Sequence, residues 1–292
     1  VRARTQAAGG TLPEVLQSYL KTMTLDVPLD DPLAYSEVFQ KGDTSGIFQF
    51  EWSGIRAFLV QLKANNIEDV AAMSALYRPG PLEFIPNYIK RKHGEEPLYY
   101  MMPELAQTLT NTYGKETMED EKRKLEEDLS PILGMTYGIA VYQEQLMFLV
   151  QSMAGFSLAE ADMLRRGIGK KIKSEIERIK GIFVDRSWEY KQYKPETATF
   201  IYEKLIEPAA SYSFNKSHAL AYGLISFQTA WLKAHYPIEF NAALLRSEEE
   251  NPDKLAQFIS ELQIQGYRVL PPHINESFTH VAAIWPSIRL GF

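Results

Sequence analysis

Residues 215–237 read NKSHALAYGLISFQTAWLKAHYP, and this stretch decides the architecture. Ser217 to Tyr236 contains no proline, and Pro237 closes it, so the spacing predicts one long helix. Asn215 and Ser217 are residue types that cap helix N-termini. At 100° per residue, Leu220, Leu224, Phe227 and Trp231 fall within about 60° of one another and are expected to be the buried stripe. His218, Tyr222, Ile225 and Thr229 then lie on the opposite side. That face suits a nucleotide, with Lys216 toward phosphate and the rings toward sugar and base. A lone His and Tyr one turn apart are more often an ordinary hydrogen-bonded surface pair.

Outward from this helix the chain reads as mainly α, a multi-helix domain with a few short strands at a β-containing C-terminal end. Ile55, Leu59 and Leu62 predict a helix over 53–63. Further helices are expected over Ile67–Tyr77, broken by Arg78-Pro79-Gly80-Pro81, and over Leu82–His93, ended by Gly94. Lys90, Arg91 and Lys92 close the latter, where cations favour the helix dipole. Residues 115–128 hold seven acids and four bases with no apolar stripe beyond Met118 and Leu125, which reads as a solvated helix or a mobile insertion. A strongly apolar helix follows from Ile139 to Met153. Ser157 and Glu160 form a capping box. Lys173–Lys204 is charged and helical with a break at Pro195. Ile238–Leu245 and Asp253–Gln265 are further helices before the final strands, while residues 1–40 read as irregular.

The 292 residues are 45% hydrophobic and 23% charged, the composition of a folded protein of roughly two domains. No run approaches the ~20 apolar residues of a membrane span. With no cysteine, a disulfide scaffold, a zinc ribbon and a thiol nucleophile are excluded, and a reducing cytosol suits the chain. No secretory signal is visible. A net charge of −6 means that any polyanion site is local. Val1 is not a natural initiator, and Ile288–Phe292 reads as a strand without a following turn. The chain is therefore expected to be an internal piece of something longer.

One such local site is visible. From Arg165 to Lys180 there are seven basic residues against two acids, a local charge of +5. In LRRGIGKK, Arg165 and Arg166 are expected at a helix C-terminus. Gly167 and Gly169 would permit a tight turn, and Lys170 and Lys171 would open the next helix. Guanidinium forks and ammonium charges are what a triphosphate or a DNA backbone requires. A hinge whose charges face water is the plain alternative. Tyr142-Gln143-Glu144-Gln145 sets three polar side chains in an apolar helix, either bracing a neighbouring site or lying on a wet face. No Walker loop, H-E-x-x-H pair or zinc-like histidine spacing occurs.

Several longer strings carry a resemblance. Gly46–Glu51 (GIFQFE), Ala75–Pro81 (ALYRPGP), Arg91–Gly94 (RKHG), Val141–Gln145 (VYQEQ), Gly155–Lys171, Phe214–His218, Lys233–Pro237 (KAHYP) and Val269–Pro272 (VLPP) resemble the bacterial DNA polymerase III alpha subunit, the C-family replicative DNA polymerase. The resemblance covers about 43–292. It implies a fingers region over 42–245, with an insertion at 115–135. Residues 1–41 would lead from the preceding palm, and 246–292 would start the next module.

By this resemblance Arg165, Arg166, Lys170 and Lys171 bind the triphosphate of the incoming deoxynucleotide. Asn215, Lys216, Ser217, His218 and Tyr222 line its pocket, and His218 senses the sugar. Arg78, Lys90, Arg91 and Lys92 are weaker candidates for the DNA backbone. The family's magnesium-binding aspartates lie in the palm, outside this chain, so magnesium belongs to the full enzyme and the fragment alone is expected to be inactive. Primer–template DNA, deoxynucleotides and, through absent regions, the sliding clamp and other replisome subunits are the implied partners, in the cytoplasm. Trp52 stands where the family usually has Ser, Ile55 where it often has Met, Ser213 for Gly or Cys, and His273 for Asp. A non-catalytic helical module that binds DNA or a partner through the same basic cluster is the competing reading.

Overall fold

A computed structural model describes residues 13, 14, 16–18, 25–170 and 172–292. It is mainly helical, as expected. Two short helical turns, Pro32–Ala34 and Tyr35–Phe39, precede α1 (Ser53–Leu62) and α2 (Ile67–Leu76). A 3-10 turn at Pro81–Phe84 leads into α3 (Ile85–Lys92), followed by α4 (Pro103–Tyr113), α5 (Lys115–Leu133), α6 (Gln143–Ala154) and α7 (Leu158–Gly169). Then come α8 (Lys173–Lys191), α9 (Pro195–Ile201), α10 (Glu207–Tyr212), α11 (Lys216–His235), α12 (Pro237–Ser247) and α13 (Pro252–Ile264). Three strands finish the chain, β1 (Arg268–Leu270), β2 (Ala282–Ile284) and β3 (Ser287–Arg289). Among the described residues the chain forms two compact units, Ala71–Ala221 and the remainder.

The unit of residues 71–221 is built on α4 to α10. Its core gathers Leu105, Leu109, Leu146, Leu149, Phe183 and Tyr202. The acidic segment corrects the sequence reading, because α5 is one docked helix rather than a solvated or mobile one. Leu125, Leu129 and Leu133 recur at helical spacing and are buried in that core. Two carboxylates on the same face are buried with them and satisfied. Glu121 accepts from Lys124 Nζ at 2.8 Å and from the Lys194 N–H at 3.0 Å. Asp128 accepts from Tyr193 Oη at 2.8 Å and Ser152 Oγ at 2.9 Å, and pairs with Lys191. Buried charge is tolerated only when partnered in this way. A hydrophobicity count overlooks such positions.

In the other unit the segment read as irregular is irregular over 25–31 but turns helical over Pro32–Phe39, where Tyr35, Val38 and Phe39 are buried. The turn Gly42–Gly46 is held by a polar network that residue spacing does not reveal. Lys233, 4% exposed, donates to the Asp43 carboxylate at 2.6 Å and to the Asp43 and Ser45 carbonyls at 3.0 Å. Burial pulls this ammonium below the ordinary lysine range, against the opposing pull of Asp43. Arg56 donates to Ser45 Oγ at 2.9 Å, and Ser45 Oγ donates to Glu261 at 2.5 Å. Beyond it, Ile238, Leu245, Phe258, Leu262 and Ile288 form a core between α12, α13 and the sheet. The sheet runs β1-β3-β2, with β1 parallel to β3 (Val269 opposite Ile288) and β2 antiparallel to it (Ala283 opposite Ile288).

Helix α11 forms as predicted but buries a different arc. Ala219, Gly223, Ser226, Phe227, Ala230, Trp231 and Lys233 are buried, whereas Leu220 is half-buried and Leu224 is 38% exposed. The arc is displaced by roughly a quarter-turn from the large-residue stripe. Small side chains let backbones approach, and Ser226 is satisfied by donating to the Phe48 and Tyr222 carbonyls. Packing distance rather than hydropathy sets this face.

Candidate functional site

Helix α7 opens on the expected capping box. Ser157 Oγ accepts from the Glu160 N–H at 3.3 Å, while Glu160 accepts from the Ser157 N–H at 2.8 Å. Twelve residues of regular helix then place the two arginines on its last turns. Both are tied to one carboxylate. Arg165 donates through Nη2 to Asp162 Oδ1 at 2.8 Å, and Arg166 Nη2 lies 2.7 Å from Asp162 Oδ2. These bonds hold the Asp162 carboxyl below the usual carboxylate range. Arg166 is 69% exposed and Arg165 only 21%, so Arg166 is the guanidinium offered to solvent. The i+3 and i+4 spacing from Asp162 was a legible signal for this clamp.

The glycines do not do what the spacing suggested. Gly167 lies inside α7 and is buried. A Cβ there would sit 2.7 Å from Ile179 Cδ1, so this glycine permits close packing of α7 on α8 rather than a turn. Gly169 is the last residue of α7, and Lys170 is its C-cap. The next helix opens only at Lys173. Lys170 is therefore exposed in the connection instead of opening α8, and Lys171 lies outside the described residues.

The start of α11 is organised by the YQEQ run, which the structure assigns to bracing. Glu144 accepts from Asn215 Nδ2 and from the Lys216 N–H, each at 2.9 Å. Asn215 Oδ1 in turn caps the His218 N–H at 2.8 Å. Gln143 donates its N–H to the Phe214 carbonyl, and Phe214 donates to Val141, making a short bridge. Gln145 accepts from the Val141 and Tyr142 N–H groups and donates to Thr136 Oγ1 and the Ile132 carbonyl. Lys216 lies with its ammonium 5.7 Å from the centre of the Tyr142 ring. His218 and Ser217 are exposed, and the His218 ring meets Phe214 edge-on at 5.3 Å.

Helix α10 links the two candidate groups. It packs against α7, with the Ala210 carbonyl 3.8 Å from the Cβ position of Gly169, and runs within a few residues into the capped start of α11. Tyr222 falls in the other unit, where its ring lies 5.2 Å from Phe48. Arg78 is half-buried. It donates to the Ala75 and Tyr212 carbonyls and lies 4.5 Å over the Phe214 ring. Burial draws its guanidinium below the usual arginine range. Arg91 is spent on Glu96 at 2.8 Å and on the Tyr137 carbonyl at 3.1 Å. Lys90 and Lys92 end α3, and Lys90 is exposed.

Among the described residues no group of three or more His, Cys, Asp or Glu side chains could hold a metal ion. These residues do not fit a magnesium site. Among the described residues no helix is long and apolar enough to cross a membrane.

Comparison with known proteins gives a consistent result. The bacterial DNA polymerase III alpha subunit finger domain matches residues 15–119 and 115–190, the two segments meeting at the start of α5. The chain is 44% identical over 265 residues to the DNA polymerase III subunit alpha of Thermus aquaticus, covering 91% of this chain and 20% of that protein. It is 45% identical over 240 residues to that of Bacillus subtilis, covering 82% and 19%. For Halalkalibacterium halodurans the identity is 43% over 263 residues, covering 90% and 21%. The chain thus spans about one fifth of the length of the curated relatives it matches.

Proposed function

Since this chain belongs to the bacterial DNA polymerase III alpha subunit finger-domain family, we propose that it forms the fingers of a replicative DNA-directed DNA polymerase and holds the incoming deoxynucleoside triphosphate. The supporting observation is the Asp162 clamp. It fixes two guanidiniums beside Lys170 on the same unit as the capped start of α11, with Arg166 turned to solvent. Arg166, Arg165 and Lys170 would attract the phosphates. Lys216 would add its charge toward the phosphates, and His218 would meet the sugar.

In phosphoryl transfer a primer hydroxyl attacks the alpha-phosphate, and positioned cations stabilise charge on the transferred group. The residues described here supply position and charge. Magnesium would be held by carboxylates elsewhere in the full enzyme. On this reading the chain alone is inactive, its partners are primer–template DNA and deoxynucleotides, and the parent protein works in the cytoplasm with a sliding clamp and other replisome subunits.

Charge-assisted hydrogen bonds contribute about 1.5–3 kcal/mol each. Arg166→Ala in the full polymerase should therefore raise the deoxynucleotide KM or lower kcat by about tenfold or more. An unchanged kcat/KM removes the phosphate role. Shortening His218 should relax discrimination against ribonucleotides, and equal incorporation ratios reject that assignment. The donor set of the chain by itself favours a second reading, a non-catalytic helical module binding DNA or a partner through the same cluster. That module would bind DNA in a salt-sensitive way without preferring deoxynucleoside triphosphates.

A further inference from the structure

In the unit that holds α1 and α13, a cleft of about 240 Å³ is lined by Glu51, Trp52, Arg56, Lys254, Gln257 and Phe258. Trp52 is 75% exposed, although an indole is among the largest apolar groups a chain can withdraw from water. Phe258, 9% exposed, makes the floor. Two cations line the same cleft, Arg56 from α1 and Lys254 from α13. Arg56 is linked through Ser45 to the Glu261 carboxylate, and Lys254 keeps 55% of its side chain exposed. Lys254 has a 3.4 Å contact with Glu248, and Arg56 bonds Ser45 through Nη2 while its buried Nε has no hydrogen-bond partner. The one acid in the lining, Glu51, accepts the Gly46 N–H at 3.0 Å.

We propose that this cleft binds single-stranded nucleic acid, one base lying on the Trp52 indole and the adjoining phosphate facing Arg56 and Lys254. Sites that enclose whole small molecules run to about 300–1,000 Å³. A smaller, open cleft takes one part of a larger ligand. A flat ring joined to an anion matches an exposed indole beside a guanidinium and an ammonium, and aromatic stacking with a cationic border is how single strands are held without sequence preference. An acidic peptide supplies the charge without the repeating ring. The preference for nucleic acid over such a peptide rests on the polymerase reading above.

The experiment is an anisotropy titration of a short fluorescein-labelled oligothymidylate into the intact chain and into Trp52→Ala, Trp52→Phe and Lys254→Glu variants, at low and high salt. Both positions are exposed, and thermal melts confirm folding of each variant. Trp52→Ala should weaken binding about fivefold or more and Trp52→Phe by less. Lys254→Glu should weaken it and flatten its salt dependence. Unchanged affinity in both Trp52→Ala and Lys254→Glu overturns the proposal. So does saturable binding of an acidic aromatic peptide at this cleft with none of the oligonucleotide, which assigns the surface to a protein partner. Failure of the polymerase reading shows elsewhere, as an Arg166→Ala polymerase with unaltered deoxynucleotide kinetics.

Discussion

The carboxylate of Glu144, on the first turn of α6, accepts the backbone N–H of Lys216 at 2.9 Å and so caps a helix that begins 72 residues later. Its other oxygen holds Asn215 Nδ2 at 2.9 Å, which fixes the residue that caps His218. An acid at a helix N-terminus is favoured by the orphan N–H groups and the helix dipole. The first turn of α11 thus already has its anion.

Removing that acid should loosen the start of α11. Glu144→Ala is expected to lower stability by about 1–2 kcal/mol in urea titrations, and Glu144→Gln, which keeps one acceptor, by about half as much. Equal midpoints for wild type and Glu144→Ala would show that the cap contributes nothing.

Asp128 anchors α5 to Tyr193, Ser152 and Lys191. Truncation to alanine leaves a buried phenol and a partly exposed ammonium without their acceptor. The expected loss is about 2–3 kcal/mol, below that of a fully buried pair because Lys191 reaches water. Asp120→Ala, on an exposed face of the same helix, should cost less than about 1 kcal/mol. Equal costs at the two positions would contradict the docking of α5.

Gly167 tests close helix packing. Alanine there gains helix propensity, about 1 kcal/mol, but crowds Ile179 Cδ1 at 2.7 Å in a buried contact. Overpacking costs about 1–3 kcal/mol, so Gly167→Ala should be net destabilising. Adding Ile179→Val removes the crowding atom and should recover part of the loss. A non-additive rescue in the double-mutant cycle is the measurement. Additive effects would mean that the crowding is relieved some other way.

Alkaline stability follows from the buried phenols. Burial, with Glu83 adding to it, pushes the Tyr212 hydroxyl from 10.0 up to about 12. The fold favours the neutral form, so this contribution is whole below pH 10 and is lost as pH rises from 10 through 12. A shift of that size corresponds to on the order of 2–3 kcal/mol. Burial raises Tyr193, Tyr202 and Tyr35 as well, which steepens the decline. Tyr212→Phe should make the fall between pH 10 and 12 shallower, as read by unfolding free energies across that range. An identical slope would remove Tyr212 from the explanation.

The amino-acid order by itself determined the helical architecture, the Ser157–Glu160 capping box, the breaks at prolines and the family. These follow from local propensity and from strings of matching residues, which need no tertiary context. The basic cluster and the Asn215–His218 run were legible for the same reason. Tertiary structure alone decided the rest. It put small residues rather than Leu224 on the buried arc of α11, turned Gly167 from a hinge into a packing contact, and docked α5 through buried Glu121 and Asp128. It also set Glu144 on the start of α11 and Lys233 on Asp43. Each of these depends on how closely two backbones approach, or on a hydrogen bond between residues far apart in the chain. Neither distance nor partnership is written in hydropathy or spacing.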